Sequence, residues 1–224
     1  MDSKHFKNLL FQELANIAKA IANPFRLRII NLLAQSDYSV EQLANNINIT
    51  VANVSQHLQV LKKVKLVKTE KNGHFIIYSL ANNNVYSLWN TLQKFGLENS
   101  LEIQSTLKSF KEENFQSIDS ITIDEIISNN NFSDLYFLDV RPEKEFKKGA
   151  IASAKNIPVD DLGRKLSILP RDKQIVVYCR GPFCVFADIA VKQLKSNGYK
   201  AIRLKEEILS CKEKGLPVLN FQEN

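Results

Sequence analysis

The sequence predicts two domains: a mainly helical N-terminal domain, and an α/β C-terminal domain with a parallel sheet and flanking helices. Its 224 residues allow one large domain or two small ones. Apolar residues recur at helical spacing over the first ~95 residues, whereas strand-like and helical segments alternate from Ile121 onward. The net charge of +6 also divides unevenly, because residues 1–97 hold 11 of the 30 Lys and Arg but only 5 of the 24 Asp and Glu.

Composition excludes several classes of protein. Hydrophobic residues make up 44% and charged residues 24%, an ordinary globular mixture. No apolar run approaches the ~18 residues that span a bilayer. Asp2 and Glu13 interrupt the N-terminus, which lacks the pattern of a signal peptide, so we expect a cytoplasmic protein without membrane contact. Three cysteines without a signal peptide argue against a disulfide framework.

Capping residues divide the basic N-terminal half into short helices. Asn23-Pro24 predicts an N-cap with proline at the first helical position. Ser39 and Gln42 have the spacing of a capping box, and Thr50 caps the next helix. The excess of positive charge suggests a polyanion as partner, although a solvated lysine-rich surface would give the same count.

A two-stranded ribbon is predicted after these helices. Leu66–Thr69 and Phe75–Tyr78 are strand-like, and Asn72-Gly73 between them is a strong hairpin signal. Two short helices joined by a tight turn and followed by a ribbon form a winged helix-turn-helix, whose second helix enters the major groove of DNA. The predicted contacts to bases and phosphates come from the second helix and the ribbon: Asn53, Gln56, His57, Lys63, Lys71, Asn72 and His74.

This half of the chain resembles the ArsR-type transcriptional repressors. Ser55-Gln56-His57-Leu58 is the most specific match, and the ribbon ending in Tyr78-Ser79-Leu80 also fits. The resemblance covers roughly residues 5–97. It implies a homodimer, paired through the first and last helices, that binds a palindromic operator in double-stranded DNA. Ser55, Gln56 and His57 would then touch the DNA. A winged helix that binds protein is the alternative.

The metal ligands of many ArsR-type sensors are missing here. The domain has no cysteine, and its histidines are His5, His57 and His74. Thiolate or imidazole ligation therefore has almost no groups to use, and we expect neither a metal site nor a cofactor.

The second half carries a cysteine between a strand and a helix. Ile175–Tyr178 leads into Cys179-Arg180-Gly181-Pro182-Phe183-Cys184, and a helix follows from about Val185. This order places the Cys179 sulfur at the carboxyl end of a sheet, beside loop amides and a helix N-terminus. We expect these dipoles, with Arg180, to lower the pKa of Cys179 below the free value of ~8.5.

Two chemistries use a loop of this shape. Phosphatases and arsenate reductases need an arginine six residues after the cysteine, but Val185 occupies that position. The oxyanion clamp is therefore missing, and sulfane sulfur transfer fits better.

Residues 118–220 resemble the rhodanese sulfurtransferase domain. The matching stretches occur in the family's order: Leu138–Glu143, Glu145-Phe146, Gly149, Asn156–Pro158, Val177–Gly181 and Gly215–Val218. The resemblance implies that Cys179 takes sulfur from thiosulfate or a persulfide and passes it to another thiol. Arg180, Gly181, Phe183 and Cys184 complete the candidate catalytic loop. Asp139 and Arg141 would support its base.

Some positions depart from the rhodanese pattern. The usual Gly-Gly turn is Glu206-Glu207, and Cys211 replaces the usual tryptophan. Cys184 has two interpretations, a thiol that resolves a Cys179 persulfide or a small apolar residue in the first helical turn. Cys211 is interpreted as a core residue.

Taken together, we predict a DNA-binding and dimerisation domain over residues 1–97, a helical linker over 98–117 and a rhodanese-like domain over 118–222. The leading hypothesis is a transcriptional regulator that senses or transfers sulfane sulfur through Cys179. The alternative is a thiosulfate or persulfide sulfurtransferase whose DNA-binding domain serves only for dimerisation or localisation.

Overall fold

A computed structural model of the chain describes residues 2–115, 118–129 and 132–220. The fold divides into two compact units, Met1–Ser100 and Leu101–Asn224. This division falls inside the predicted linker 98–117. Residues 116 and 117 of that linker, and the predicted end of the second domain at 222, lie outside the described residues.

The first unit contains five helices and a small antiparallel sheet within its described residues. The helices are α1 (Ser3–Ile21), α2 (Pro24–Leu33), α3 (Val40–Ile47), α4 (Val51–Lys63) and α5 (Asn83–Asn99). The strands are β1 (Tyr38–Ser39), β2 (Val67–Asn72) and β3 (Phe75–Leu80), in the order β1-β3-β2.

The predicted helix starts are confirmed. The Asn23 side chain accepts hydrogen bonds from the amides of Phe25 and Arg26. Ser39 and Gln42 form the reciprocal capping box, and the Thr50 hydroxyl accepts the amide of Asn53. Each cap satisfies amides that the first helical turn leaves without partners.

Helix α1 leaves large apolar side chains exposed in the single chain. Phe6, Leu10 and Leu14, which the sequence places on one stripe, are 48%, 50% and 60% exposed in the single chain. The core of the unit instead lies between α2, α3, α4 and the sheet. Its fully buried members are Ile29, Leu43, Val54, Leu58 and Leu61.

The second unit is built on a parallel sheet. Five strands lie in the order β4-β9-β8-β5-β7, with all neighbours parallel. They are β4 (Ser120–Ile121), β5 (Leu135–Asp139), β7 (Lys155–Asn156), β8 (Gln174–Tyr178) and β9 (Ala201–Leu204). A separate antiparallel pair joins β6 (Gly149–Ile151) to β10 (Val218–Asn220).

Helices cover both faces of this sheet. They are α6 (Leu101–Phe115), α7 (Ile123–Asn129), α8 (Glu143–Lys148), α9 (Phe186–Ser196) and α10 (Ile208–Glu213), with a long 3-10 segment at Val159–Ile168. Ile175 and Val177 of β8 face α9, whereas Val176 and Tyr178 face α7 and α10. The α/β prediction is thereby confirmed, and the carboxyl ends of β5 and β8 lie side by side.

Within the described ranges, no helix combines the length and the apolar character needed to cross a membrane.

Candidate functional site

The second helix of the helix-turn-helix, α4, presents polar side chains on its outer face. Asn53 and Gln56 are exposed, and Ser55 and His57 are half-buried. The opposite face buries Val54, Leu58 and Leu61 completely. The buried stripe therefore fixes the rotation of α4 and leaves its amide side chains available to base edges.

His57 is held against α2. Its ring stacks on Phe25 with centroids 5.6 Å apart. Partial burial, helped by the charge of Arg26, lowers the pKa of His57 below its ordinary value. The imidazole is therefore neutral at neutral pH and offers hydrogen bonds rather than charge.

The ribbon tip carries the remaining predicted contacts. Lys71, Asn72 and His74 are exposed around Gly73, whose φ of +60° closes the hairpin. Lys63 is exposed at the end of α4. The predicted DNA-contacting residues thus lie on two elements, α4 and the β2–β3 ribbon, that are joined by only three residues, 64–66.

The second candidate site is the loop between β8 and α9. Cys179 directly follows β8 and is 3% exposed, whereas Cys184 is half-buried and Phe183 is exposed at 41%. Gly181 is buried with a φ of +88°, a conformation that favours glycine. The loop therefore folds inward around its two thiols.

A buried ion pair lies at the end of β5, the strand next to β8. Arg141 donates to Asp139 through Nε and Nη2 at 2.7–3.1 Å, and its Nη2 also donates to the Gly149 carbonyl at 2.7 Å. Asn156 donates to the carbonyls of Asp139 and Arg141. These contacts tie β5, β6 and β7 together, and the support of the Cys179 loop by this pair stays a prediction.

Arg180 of the loop forms an ion pair with Glu145 of α8, and its charge also helps to lower the pKa of Cys184. Its guanidinium donates to both carboxylate oxygens of Glu145 at 2.6–3.1 Å, and Glu145 is fully buried. Arg180 also lies over the ring of Phe186, 5.0 Å from its centroid. Its charge is therefore largely neutralised by Glu145.

A second buried pair, which the sequence did not predict, lies beneath the loop. Arg203 of β9 donates to Asp188 at 3.0 Å, to the Gly181 carbonyl at 3.1 Å and to the Cys184 carbonyl at 3.2 Å. Both side chains are nearly inaccessible, at 3% exposure for Arg203 and 1% for Asp188. Arg203 therefore determines the path of the loop backbone.

The pKa of Cys179 differs from the expectation. Burial raises the pKa of Cys179 well above its ordinary value, and the neighbouring Cys184 adds to this rise. The Cys179 thiol donates to the Cys184 carbonyl at 3.6 Å, a contact that favours the protonated form. This direction is opposite to the expected lowering, because burial and the neighbouring Cys184 outweigh the charge of Arg203 and the amide of Ala187, which both act to lower the pKa of Cys179.

The electrostatic environment of the loop favours an anion at Cys184 over one at Cys179. A hydrogen bond from the Cys179 thiol and the amides of Arg180 and Phe186 lower the pKa of Cys184 to about 6. The loop amides thus favour a sulfur anion, as expected, but they act on Cys184.

Cys211 lies away from this loop in the core on the other face of the sheet. It is inaccessible, and burial raises its pKa to about 12. Glu207, at the position of the expected glycine turn, packs against Gly181, where an added Cβ would lie 3.3 Å from the Glu207 Cβ.

Two family models match the chain. One describes the bacterial regulatory proteins of the arsR family and matches residues 23–69, and the other describes rhodanese-like domains and matches residues 122–207. Over 212 residues, the chain is 32% identical to HTH-type transcriptional regulator Rv0324 of Mycobacterium tuberculosis, covering 95% of this chain and 92% of the relative. The chain belongs to the ArsR family of transcriptional regulators, with a C-terminal rhodanese-like domain.

Other similarities cover one half of this ArsR-family regulator. The SmtB homolog of Synechocystis, a transcriptional repressor, is 36% identical over 78 residues, which cover 35% of this chain and 59% of the relative. The homodimeric winged helix-turn-helix domain of Mb0332 from Mycobacterium bovis is 30% identical, with a TM-score of 0.42 over 46% of this chain and 93% of that one. A rhodanese-related protein from Thermoplasma volcanium is 32% identical, with a TM-score of 0.41, and the match covers 46% of this chain and 99% of that one.

The regulator also carries a charged residue near the loop that sequence reasoning did not single out. Lys111 of α6 is half-buried, and burial lowers its pKa. The charges of Asp188 and Cys179 act in the opposite direction and favour the ammonium. A helical stripe of Ile103, Leu107, Lys111 and Phe115, at intervals of four, could have identified this residue as inward-facing.

Among residues 2–115, 118–129 and 132–220, no group of three or more His, Cys, Asp or Glu side chains is placed to hold a metal ion.

Proposed function

We propose that this regulator binds a palindromic operator as a homodimer and that sulfane sulfur, loaded on Cys179 as a persulfide, changes its affinity for that operator. The observation that carries the sulfur part is the position of Cys179, which is buried at the carboxyl end of the central strand β8 and begins a loop anchored by Arg203. DNA binding is supported by the exposed amides of α4, the basic ribbon and membership of the ArsR family.

The homodimer part rests on the apolar surface of the first and last helices of the DNA-binding unit. Phe6, Leu10 and Leu14 of α1 are about half exposed or more, and Phe95 of α5 is 63% exposed. Apolar area of this extent on one unit is typical of an interface between subunits. The homodimeric Mb0332 domain is consistent with such pairing.

Sulfur loading follows from the chemistry of the loop. The Cys179 sulfur attacks the sulfane sulfur of thiosulfate, a new S–S bond forms, and the old S–S bond breaks so that sulfite leaves with the electron pair. With a persulfide donor, the leaving group is the donor thiolate. The missing arginine clamp at Val185 disfavours tetrahedral oxyanion chemistry at this site.

The response of DNA binding requires a connection between the two units. Helix α5 ends at Asn99 and α6 begins at Leu101, so the two helices are joined through Ser100 alone. Because α6 packs on α9 and carries Lys111 toward the loop, we propose α6 as the element that responds to the state of Cys179.

Intact mass measurement tests the sulfur part. The reduced regulator is treated with thiosulfate or inorganic polysulfide, and the mass is recorded for the wild type, Cys179→Ser and Cys211→Ala. Reaction at Cys179 is expected in the wild type and in Cys211→Ala but not in Cys179→Ser. Equal sulfur uptake by Cys179→Ser would contradict the assignment. Rapid turnover with cyanide as acceptor, without any change in operator affinity, would favour the sulfurtransferase alternative.

A further inference from the structure

The loop holds two thiols whose contacts give them different roles. Cys179 donates from Sγ to the Cys184 carbonyl at 3.6 Å, and its single thiol hydrogen can be directed to the Cys184 sulfur instead. The amides of Arg180 and Phe186 point to the Cys184 sulfur. More donors that stabilise a sulfur anion therefore act on Cys184 than on Cys179, for which one amide, that of Ala187, acts in this direction.

The buried Arg203 side chain fixes the backbone around these two thiols. Arg203 donates to the carbonyls of Gly181 and Cys184, so it anchors the loop at both of these residues. The two sulfurs consequently remain neighbours, with four residues between them in a loop whose path the buried guanidinium determines. Proximity of this kind raises the effective concentration of one thiol at the other.

We propose that Cys184 is a second reacting thiol, which accepts the proton of Cys179 during sulfur loading and then closes a Cys179–Cys184 disulfide. This inference rests on the proposed persulfide at Cys179 and states what happens to it next. The reaction at this loop then yields a Cys179–Cys184 disulfide and free hydrosulfide, and the Cys179 persulfide is an intermediate of that reaction.

The steps balance. During loading, Cys179 bonds to the donor's sulfane sulfur, the donor S–S bond breaks, and the Cys179 proton moves to the Cys184 thiolate through the hydrogen bond between them. During closure, the Cys184 sulfur attacks Cys179 Sγ, and the bond from Cys179 to the outer sulfur breaks. The outer sulfur leaves as hydrosulfide with the Cys184 proton. The sulfane sulfur is reduced, and the two thiols are oxidised to a disulfide.

The first experiment determines which thiol is ionised at rest, without any sulfur donor. The reduced full-length regulator is alkylated with iodoacetamide over a range of pH and digested with trypsin. Cleavage after Arg180 separates Cys179, in peptide 174–180, from Cys184, in peptide 181–192. At neutral pH we expect Cys184 to be labelled roughly tenfold faster than Cys179.

The pH profile separates ionisation from accessibility. The labelling rate of Cys184 is expected to fall as the pH is lowered through about 6 and to be flat above neutral pH. Faster labelling of Cys179, or a Cys184 rate that keeps rising into the alkaline range, would overturn the assignment of the thiolate to Cys184.

The second experiment follows the fate of the sulfur. After treatment with inorganic polysulfide and digestion without reductant, the wild type is expected to give peptides 174–180 and 181–192 linked by a disulfide, with release of hydrosulfide. Cys184→Ser is expected to retain the extra sulfur on peptide 174–180. The matched control is Cys211→Ala, which removes a thiol outside the loop and should behave like the wild type.

The outcomes distinguish this inference from the proposed function. A wild-type persulfide that persists on Cys179 without linked peptides would overturn the role of Cys184 and leave the proposed function standing. If neither the wild type nor Cys184→Ser takes up sulfur, the proposed function fails. In that case the alkylation profile and oxidation with diamide test the thiol pair. Failure of diamide to form a disulfide between peptides 174–180 and 181–192 would also overturn the inference.

Discussion

Arg203 donates to the carbonyls of Gly181 and Cys184, and it pairs with the buried carboxylate of Asp188. One side chain therefore donates to three acceptors. The Gly181 carbonyl also accepts from the Cys184 amide and the Cys184 carbonyl from the Cys179 thiol, so the Asp188 carboxylate is the acceptor that relies most on Arg203. Among the described residues, the second carboxylate oxygen of Asp188 has no hydrogen-bond partner. Asp188 thus depends heavily on Arg203 for compensation of its charge.

Arg203→Met is expected to destabilise the protein by about 3–5 kcal/mol, because it leaves a buried carboxylate uncompensated. Urea unfolding followed by circular dichroism measures the loss. Arg164→Met is the matched control, since the Arg164 side chain is 80% exposed and pairs only at the surface with Asp161. We expect the control to cost less than about 1 kcal/mol. Similar losses in the two variants would contradict the bracing role of Arg203.

Gln56 and Lys63 of α4 are expected to contribute to DNA binding in different ways. Gln56→Ala should weaken operator binding by about 1–3 kcal/mol and relax the preference for one base pair. Lys63→Gln should weaken binding to all sequences. It should also reduce the slope of log affinity against log salt concentration by about one, the value for one lost phosphate contact. Fluorescence anisotropy against a base-substituted operator series at several salt concentrations separates these effects. A salt slope changed by Gln56→Ala but not by Lys63→Gln would contradict the assignment.

At the scale of secondary-structure elements, the ribbon depends on its turn. Gly73 has a φ of +60°, and an added Cβ would meet no atom within 4 Å. Backbone conformation, not crowding, is therefore the reason for glycine at this position.

Gly73→Ala is expected to cost about 1–2 kcal/mol, since a residue with a Cβ is strained in the left-handed region. Gly73→Asn should recover part of this loss, because asparagine adopts that region more readily. Thermal unfolding of the three proteins provides the comparison. Equal stability of the alanine variant and the wild type would show that the turn is closed by other contacts.

The sequence predicted elements whose signals are local. The caps at Asn23, Ser39 and Thr50 depend on residues within one helical turn. The β2–β3 hairpin depends on its two turn residues, Asn72 and Gly73. Strand β1 was not predicted, because its two residues form a strand only by pairing with β3, and their partners lie about 40 positions further along the chain.

The site was predictable in its residues but not in its charge distribution. The position of Cys179 after a buried strand follows from local pattern. The pairing of Arg180 with Glu145, and of Arg203 with Asp188, joins residues 35 and 15 positions apart. Because burial of Cys179 and such tertiary contacts set the electrostatics of the loop, local sequence pattern did not indicate the raised pKa of Cys179.

At the scale of the whole molecule, helix α6 is the element that we propose to respond to the state of the Cys179 loop. The Lys192 ammonium donates to the Asn114 carbonyl at 3.0 Å, which fixes the end of α6 on α9. The ammonium of Lys111 is influenced by the charges of Asp188, Arg203 and Cys179. A change of charge at the loop therefore acts directly on α6.

Lys111→Met is expected to keep both sulfur loading and DNA binding of the reduced protein while losing most of the change in operator affinity on loading. The matched control is Lys108→Met, because the Lys108 side chain is 74% exposed on the same helix. The measurement is operator affinity before and after polysulfide treatment. An undiminished response in Lys111→Met would exclude Lys111 from the link.

The central claim is that one molecule couples sulfur loading at Cys179 to operator binding. Its most direct test is fluorescence anisotropy on the promoter upstream of the regulator's own gene, before and after thiosulfate or polysulfide, with intact mass recorded on the same samples. We predict that modification of the Cys179 loop and a change in affinity occur together, and that both are lost in Cys179→Ser while the reduced variant still binds DNA. Sulfur chemistry at Cys179 with unchanged affinity would show that the two domains act independently and would contradict the claim.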